Sequence, residues 1–136
     1  MNLILLIIFG ALISYNDLRH QVIPNRYLLV MLLAVTFKLI LTHGLRRHLL
    51  FALLVVAALA LFQWVSTGVV GMGDIKYLAL LAFLTGSFAL FAKGIEYSFF
   101  GSCIMAIVIF LQRSSIKTSI PLAPPITVGF FLAMIL

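Results

Sequence analysis

Apolar residues run through this chain in long unbroken stretches, and that continuity restricts it to helices crossing a lipid bilayer. A strand of a membrane barrel alternates between lipid and lumen at every second residue, whereas these runs stay apolar at consecutive positions. Six spans are expected: Asn2 to Tyr15 with an extension through Asp17, Tyr27 to Thr42, Leu49 to Val65, Ile75 to Ala92, Tyr97 to Gln112, and Ile120 to Leu136. Several fall at or below the roughly 20 residues that an upright helix needs. Local bilayer thinning or extension into the loops makes up the difference. Only 9% of residues are charged and 65% are hydrophobic, with a mean hydropathy of +1.29. Soluble domains carry about 25% charge. The expected fold is therefore an all-α integral membrane bundle of about six transmembrane helices, forming a single domain over residues 1–136. No basic residue precedes the first run and no Ala-x-Ala site follows it, so that run is expected to stay as a span.

The net charge of +6 does not point to nucleic acid, because the basic residues are scattered along the chain rather than clustered. Topology and anionic lipid headgroups account for them better. Arg19, Arg26, Lys76, Arg113 and Lys117 fall in loops one, three and five. Arg46, Arg47 and Lys93 fall on the other side, with Lys38 close by. This bias places loops one and three in the cytoplasm and both termini outside.

A lone cysteine, Cys103, allows no internal disulfide and reads as a core thiol. His20, His43 and His48 do not group into a His-Glu-x-x-His helix, and the acids are too few for a carboxylate-rich metal site. No metal and no cofactor are expected. Gln63, Trp64, Thr85, Ser87, Ser102 and Gln112 read as helix–helix glue or interfacial anchors, and Gly86 and Gly101 as close-packing positions.

Three acidic residues remain: Asp17, Asp74 and Glu96. A carboxylate at a membrane boundary is costly unless something holds it there, which makes it a candidate for function. Asp17 ends the first run and is followed by Arg19, Pro24 and Asn25. The Pro24–Asn25 pair stops a helix or fixes a turn. Pairing of Asp17 with Arg19 or Arg26 at the headgroups is the plainer alternative. Asp74 follows Gly71-Met72-Gly73, where glycines allow unusual backbone angles and close approach. It reads as an N-cap at the start of span four, with Lys76 on another face, available to headgroups or substrate. Glu96 is expected in the loop after span four, on the opposite face, as a loop ion pair or solvated charge beside Lys93 and Tyr97.

Alternating spans put Asp17 and Asp74 at the same membrane face. Two carboxylates close together in a poorly solvated site share a proton. One takes a proton from water while the other protonates a carbonyl oxygen or a leaving nitrogen. That is aspartyl peptidase chemistry, and the pair titrates as a unit.

The chain resembles the prepilin peptidases, membrane aspartyl peptidases of the Gly-x-Gly-Asp type. Asp17, Arg19, Ile23, Pro24 and Asn25 are similar to the family's Asp-x-Arg-x-x-x-Ile-Pro-Asn. Gly71, Gly73, Asp74 and Lys76 are similar to its Gly-x-Gly-Asp-x-Lys. The resemblance implies Asp17 and Asp74 as catalytic residues, with Arg19, Pro24, Asn25, Gly71, Gly73 and Lys76 binding substrate or shaping the site. It implies removal of a short basic leader from prepilin or pseudopilin substrates at the cytoplasmic face of the inner membrane. Membrane lipid is the other expected partner.

The cysteine cluster that larger bacterial members link to N-methylation is not in this sequence, so no methyltransferase activity is expected. The short form is more similar to the prepilin peptidases of tight-adherence (Flp) pili or to archaeal preflagellin peptidases. Pro121-Leu122-Ala123-Pro124-Pro125 is loosely similar to a proline-containing entrance of the family's last span, and equally a kinked helix start. Two further readings stay open at this point. One is a small proton-coupled transporter using the same carboxylates; the other is a non-catalytic assembly subunit.

Overall fold

The computed structural model of the chain describes residues 2–65, 71–113 and 121–136. Lys117 and the expected opening of the last span at Ile120 lie outside them, as do the side chains of Asn2, Gln112 and Arg113. The described residues form six helices: α1 Asn2–His20, α2 Asn25–Leu41, α3 Leu45–Val65, α4 Met72–Thr85, α5 Phe88–Arg113 and α6 Ala123–Ile135. Stretches within α1 (Leu3–His20), α3 (Leu45–Val65) and α5 (Phe88–Leu111) are long and apolar enough to cross a membrane. An all-α membrane bundle is the result.

Helix α4 is its axis. Tyr77 and the consecutive run Leu80 to Thr85 are buried, so almost every face of α4 meets protein. Helices α2, α3, α5 and α6 all pack against it, while α1 joins α2 to α6. At 14 residues α4 is about 21 Å long, well under the hydrocarbon thickness of a bilayer. A helix enclosed by its neighbours does not have to match that thickness.

Apolar side chains gain nothing by leaving lipid for protein, so close packing and hydrogen bonds must hold such helices together. The α5–α6 seam illustrates this. Gly94, Ser98 and Gly101 recur along one stripe of α5 and face Gly129, Phe130 and Pro125 of α6. Ser98 Oγ donates to the Gly94 carbonyl, and the Phe91 and Phe130 rings meet at 5.5 Å. Phe51 of α3 meets Phe91 edge-on at 5.8 Å. Gly101 is a close-packing position as expected, with Pro125 Cβ 3.2 Å from where its own Cβ would stand.

Four expectations are corrected. The turn after α4 falls at Gly86–Ser87, not near Lys93. Gly86 takes a left-handed φ of 57°, and its N–H closes on the Ala82 carbonyl. The His48 ring fills the space a side chain would need there, and His48 Nδ1 lies 2.8 Å from the Phe83 carbonyl oxygen. No proline interrupts the segment after this turn, so Lys93 and Glu96 continue as helix and Glu96 is an exposed residue of α5 rather than a loop residue. Helix α3 starts at Leu45, which draws Arg46 and Arg47 into its first turn. Cys103 is exposed on α5 instead of buried, because a helix apolar all round does not disclose which stripe meets protein. Asp74 is not an N-cap; Gly71 holds that position.

The seam makes a prediction. A Cβ at Gly129 would collide with the Ser98 side chain and with backbone at Ser98 and Gly94. Gly129→Val is expected to destabilise the folded protein by about 1–3 kcal/mol. Gly44→Ser adds its side chain at an open N-cap, with the nearest atom 3.5 Å from the new Cβ, and is expected to be neutral. Thermal unfolding in detergent measures both.

Candidate active site

Each aspartate is presented by the end of a helix. Asp17 lies in the last turn of α1, which stops because Gln21 turns left-handed at φ 53° and returns its N–H to the Asp17 carbonyl at 2.9 Å. The backbone of Asp17 is thereby committed, and its side chain enters the bundle with 5% of its surface exposed. There Oδ2 accepts the Ala123 N–H at 2.9 Å.

That donor is a product of local sequence. The first N–H groups of a helix lack partners within it. Pro124 and Pro125 carry none, and the Ile126 N–H reaches the Leu122 carbonyl. Ala123 therefore supplies a free donor at the positive end of α6, where a carboxylate is favoured. The pairing with Arg19 does not form. Arg19 is exposed and donates from its guanidinium to the Tyr15 hydroxyl at 3.0 Å.

Asp74 is the third residue of α4. The Gly71 carbonyl accepts the N–H of Asp74 at 3.1 Å and of Ile75 at 3.2 Å, which starts the helix. Gly71 needs no special backbone angle, since its φ is −61°. It needs to be small. A Cβ there would come 3.0 Å from Asp74 Oδ2, so the carboxylate folds back over this residue. Gly73 is small for a second reason: Ile23 Cβ sits 3.2 Å from the place of its missing side chain.

Ile23 is thus the peg and Gly73 the socket that join the two polar segments. Lys76 adds a second tie, donating from Nζ to Asn25 Oδ1 at 3.2 Å. Together the segments enclose a cavity of about 350 Å³. Asp17, Gln21, Val22, Ile23 and Asn25 line it from the first, and Gly71, Met72, Gly73, Asp74 and Lys76 from the second. Of the residues expected at the site, Asp17, Asp74, Asn25, Gly71, Gly73 and Lys76 meet there. Pro24 stands just outside as the N-cap of α2 with ψ 126°, and Arg19 faces away.

Burial raises the pKa of Asp74, and the nearby Asp17 charge raises it further, to about 6. Near pH 6 both protonation states of this carboxyl are therefore populated.

The support beneath the pair leaves little trace in the sequence. Thr127 Oγ1 donates to the Ala123 carbonyl at 2.8 Å, and lies 2.8 Å from the Tyr77 hydroxyl and 2.9 Å from Ser14 Oγ. One threonine of α6 thus ties α1, which carries Asp17, to α4, which carries Asp74. The readable signal was the double proline at Pro124–Pro125, which leaves one N–H in need of an acceptor. Thr127, Tyr77 and Ser14 gave none, being small or aromatic residues inside apolar runs.

Among known protein families, the model of the type IV leader peptidase family matches residues 4–111, which takes in both aspartates. Neither the search of curated proteins nor that of solved structures returned a significant match.

The raised Asp74 predicts a titration. The protonated carboxyl, followed by its infrared C=O stretch against an Asp74→Asn blank, is expected to persist above the usual carboxylate range and disappear near pH 6. In Asp17→Asn the neighbouring charge is gone but the burial, the larger cause, stays. The midpoint should then move only part of the way back toward 3.8.

Proposed function

Because the chain belongs to the type IV leader peptidase family, we propose that it cuts the short basic leader from prepilin-like substrates, with Asp17 and Asp74 as the catalytic pair. Aspartic peptidase activity in a membrane follows from the family at the general level. The meeting of two carboxylates from distant segments in one small polar cavity is the observation that carries the finer reading.

The chemistry rests on one proton shared by two acids. The ionised carboxylate takes a proton from a water molecule as its oxygen attacks the scissile carbonyl carbon. The protonated partner gives its proton to the carbonyl oxygen, so charge does not accumulate on the tetrahedral intermediate. The carboxyl that gained the water proton then gives it to the leaving nitrogen while its partner takes one back from a hydroxyl of the tetrahedral intermediate, which breaks the C–N bond and restores the pair with its one proton. The members act as a unit, and neither is assigned a fixed acid or base role.

The positive-inside tendency supports a cytoplasmic active site in the inner membrane. In the sequence Arg19, Arg26, Lys76, Arg113 and Lys117 belong to the connections on the aspartate side, against Arg46, Arg47 and Lys93 on the other with Lys38 close by. A short basic leader extending from a membrane-embedded apolar helix reaches that end. Lipid surrounds the remaining faces, where large apolar side chains are exposed on α1, α3 and α5. N-methylation is not assigned, because it is linked to a cysteine cluster and Cys103 stands alone in the sequence.

Single Asp17→Asn and Asp74→Asn substitutions in purified, lipid-reconstituted protein are expected to cut prepilin cleavage by about 10²–10⁴-fold. Glu96→Gln, on the exposed side of α5, is expected to leave it unchanged. Full cleavage by both asparagine variants would end the proposal. The wild-type rate should fall as pH rises through about 6, where the pair loses the proton its two members share.

A further inference from the structure

Beside the active-site cavity a second and larger hollow, about 630 Å³, opens between α2 and α3, with α4 as its floor. It runs along α2 from Asn25 to Thr36, about 16 Å at the rise of a helix. Its walls are leucines, among them Leu32 and Leu53, which are 44% and 57% exposed. Ala52 and Ala79 line it as well, and small residues let another helix come close. One end is different. Asn25 and Lys76, hydrogen-bonded to each other, line both this groove and the cavity that holds the aspartates.

We propose that this groove between α2, α3 and α4 is the bed for the apolar helix of the substrate, aligned so that the segment leading out of it passes Asn25 and Lys76 onto the aspartates. The assignment rests on the peptidase reading above and adds where the substrate docks. The wall that the two hollows share at Asn25 and Lys76 selects the occupant. A lipid acyl chain would fill the leucine-lined part, but it brings nothing to a polar end that opens on two carboxylates. A helix with a polar leader matches both parts in order, apolar along the groove and peptide at its mouth. In membranes an apolar surface alone gives no affinity, so the bed must act through shape and through the backbone that emerges at its end.

The test uses the full-length chain carrying Asp74→Asn, reconstituted in liposomes with a prepilin that has a basic leader and an apolar helix. A photo-crosslinking benzophenone amino acid at Leu32 or Leu53 is expected to form adducts with the prepilin helix. The same group at Val128, which lines a separate hollow between α1 and α6, is expected to form none. Adducts confined to lipid, or to a second copy of the chain, would overturn the proposal.

A kinetic arm uses the otherwise intact enzyme. Leu53→Trp should lower kcat/KM for that prepilin about tenfold relative to kcat/KM for a short peptide that spans the leader junction but lacks the helix. A ratio equal to wild type would also overturn it. The two readings fail separately. Normal cleavage by the asparagine variants removes the peptidase reading, whereas inactive asparagine variants with no adduct at Leu32 or Leu53 remove the groove alone.

Discussion

A carboxylate withdrawn from water has to be held by something other than water, and here a single backbone N–H does much of that work. Asp17 is almost fully covered, and the Ala123 N–H at 2.9 Å is the partner that makes its position tenable. The rest of the bundle is arranged to bring that donor there. The α5–α6 seam fixes where α6 lies, the proline pair clears competing donors from its start, and Thr127 locks it to α1 and α4. With α6 so fixed, α1 and α4 present their ends at a common depth.

The second aspartate is held by absence of bulk. Gly71 leaves space for the Asp74 carboxylate to fold back, and Gly73 admits Ile23. Each glycine does one of two jobs that look identical in a Gly-x-Gly-Asp string. Neither depends on a left-handed backbone, in contrast to Gly86, where the φ of 57° ends α4. The site is thus assembled from steric fit between two segments about 50 residues apart, with the Lys76–Asn25 hydrogen bond spanning 51 positions.

Much of this was legible in the residues. Continuous apolar runs gave the helical membrane class, and rare charges marked Asp17 and Asp74 against a hydrophobic background. The polar segments around them supplied most of the cavity wall. What could not be read has a common physical cause. In lipid, both buried and exposed faces are apolar, so periodicity says nothing of which stripe packs; the exposure of Cys103 is hidden for that reason. Lys93 and Glu96 look like a loop because charge usually marks one. Helix propensity, with no proline nearby, outweighs that signal and moves the turn to Gly86. Arg19 sits two residues from Asp17, and two positions on a helix point in divergent directions. The Ala123 donor lay hidden because a backbone group has no letter in a sequence.

The hydrogen bond between Ala123 and Asp17 links positions 106 apart. A ribosome delivers α1 well before α6. Until α6 emerges, then, the first aspartate must wait at the bilayer edge among lipid headgroups and water, and it acquires its native partner only when that helix arrives. Assembly of the end that holds the two aspartates is for this reason a late event, tied to the arrival of α6 rather than to insertion of any one hairpin.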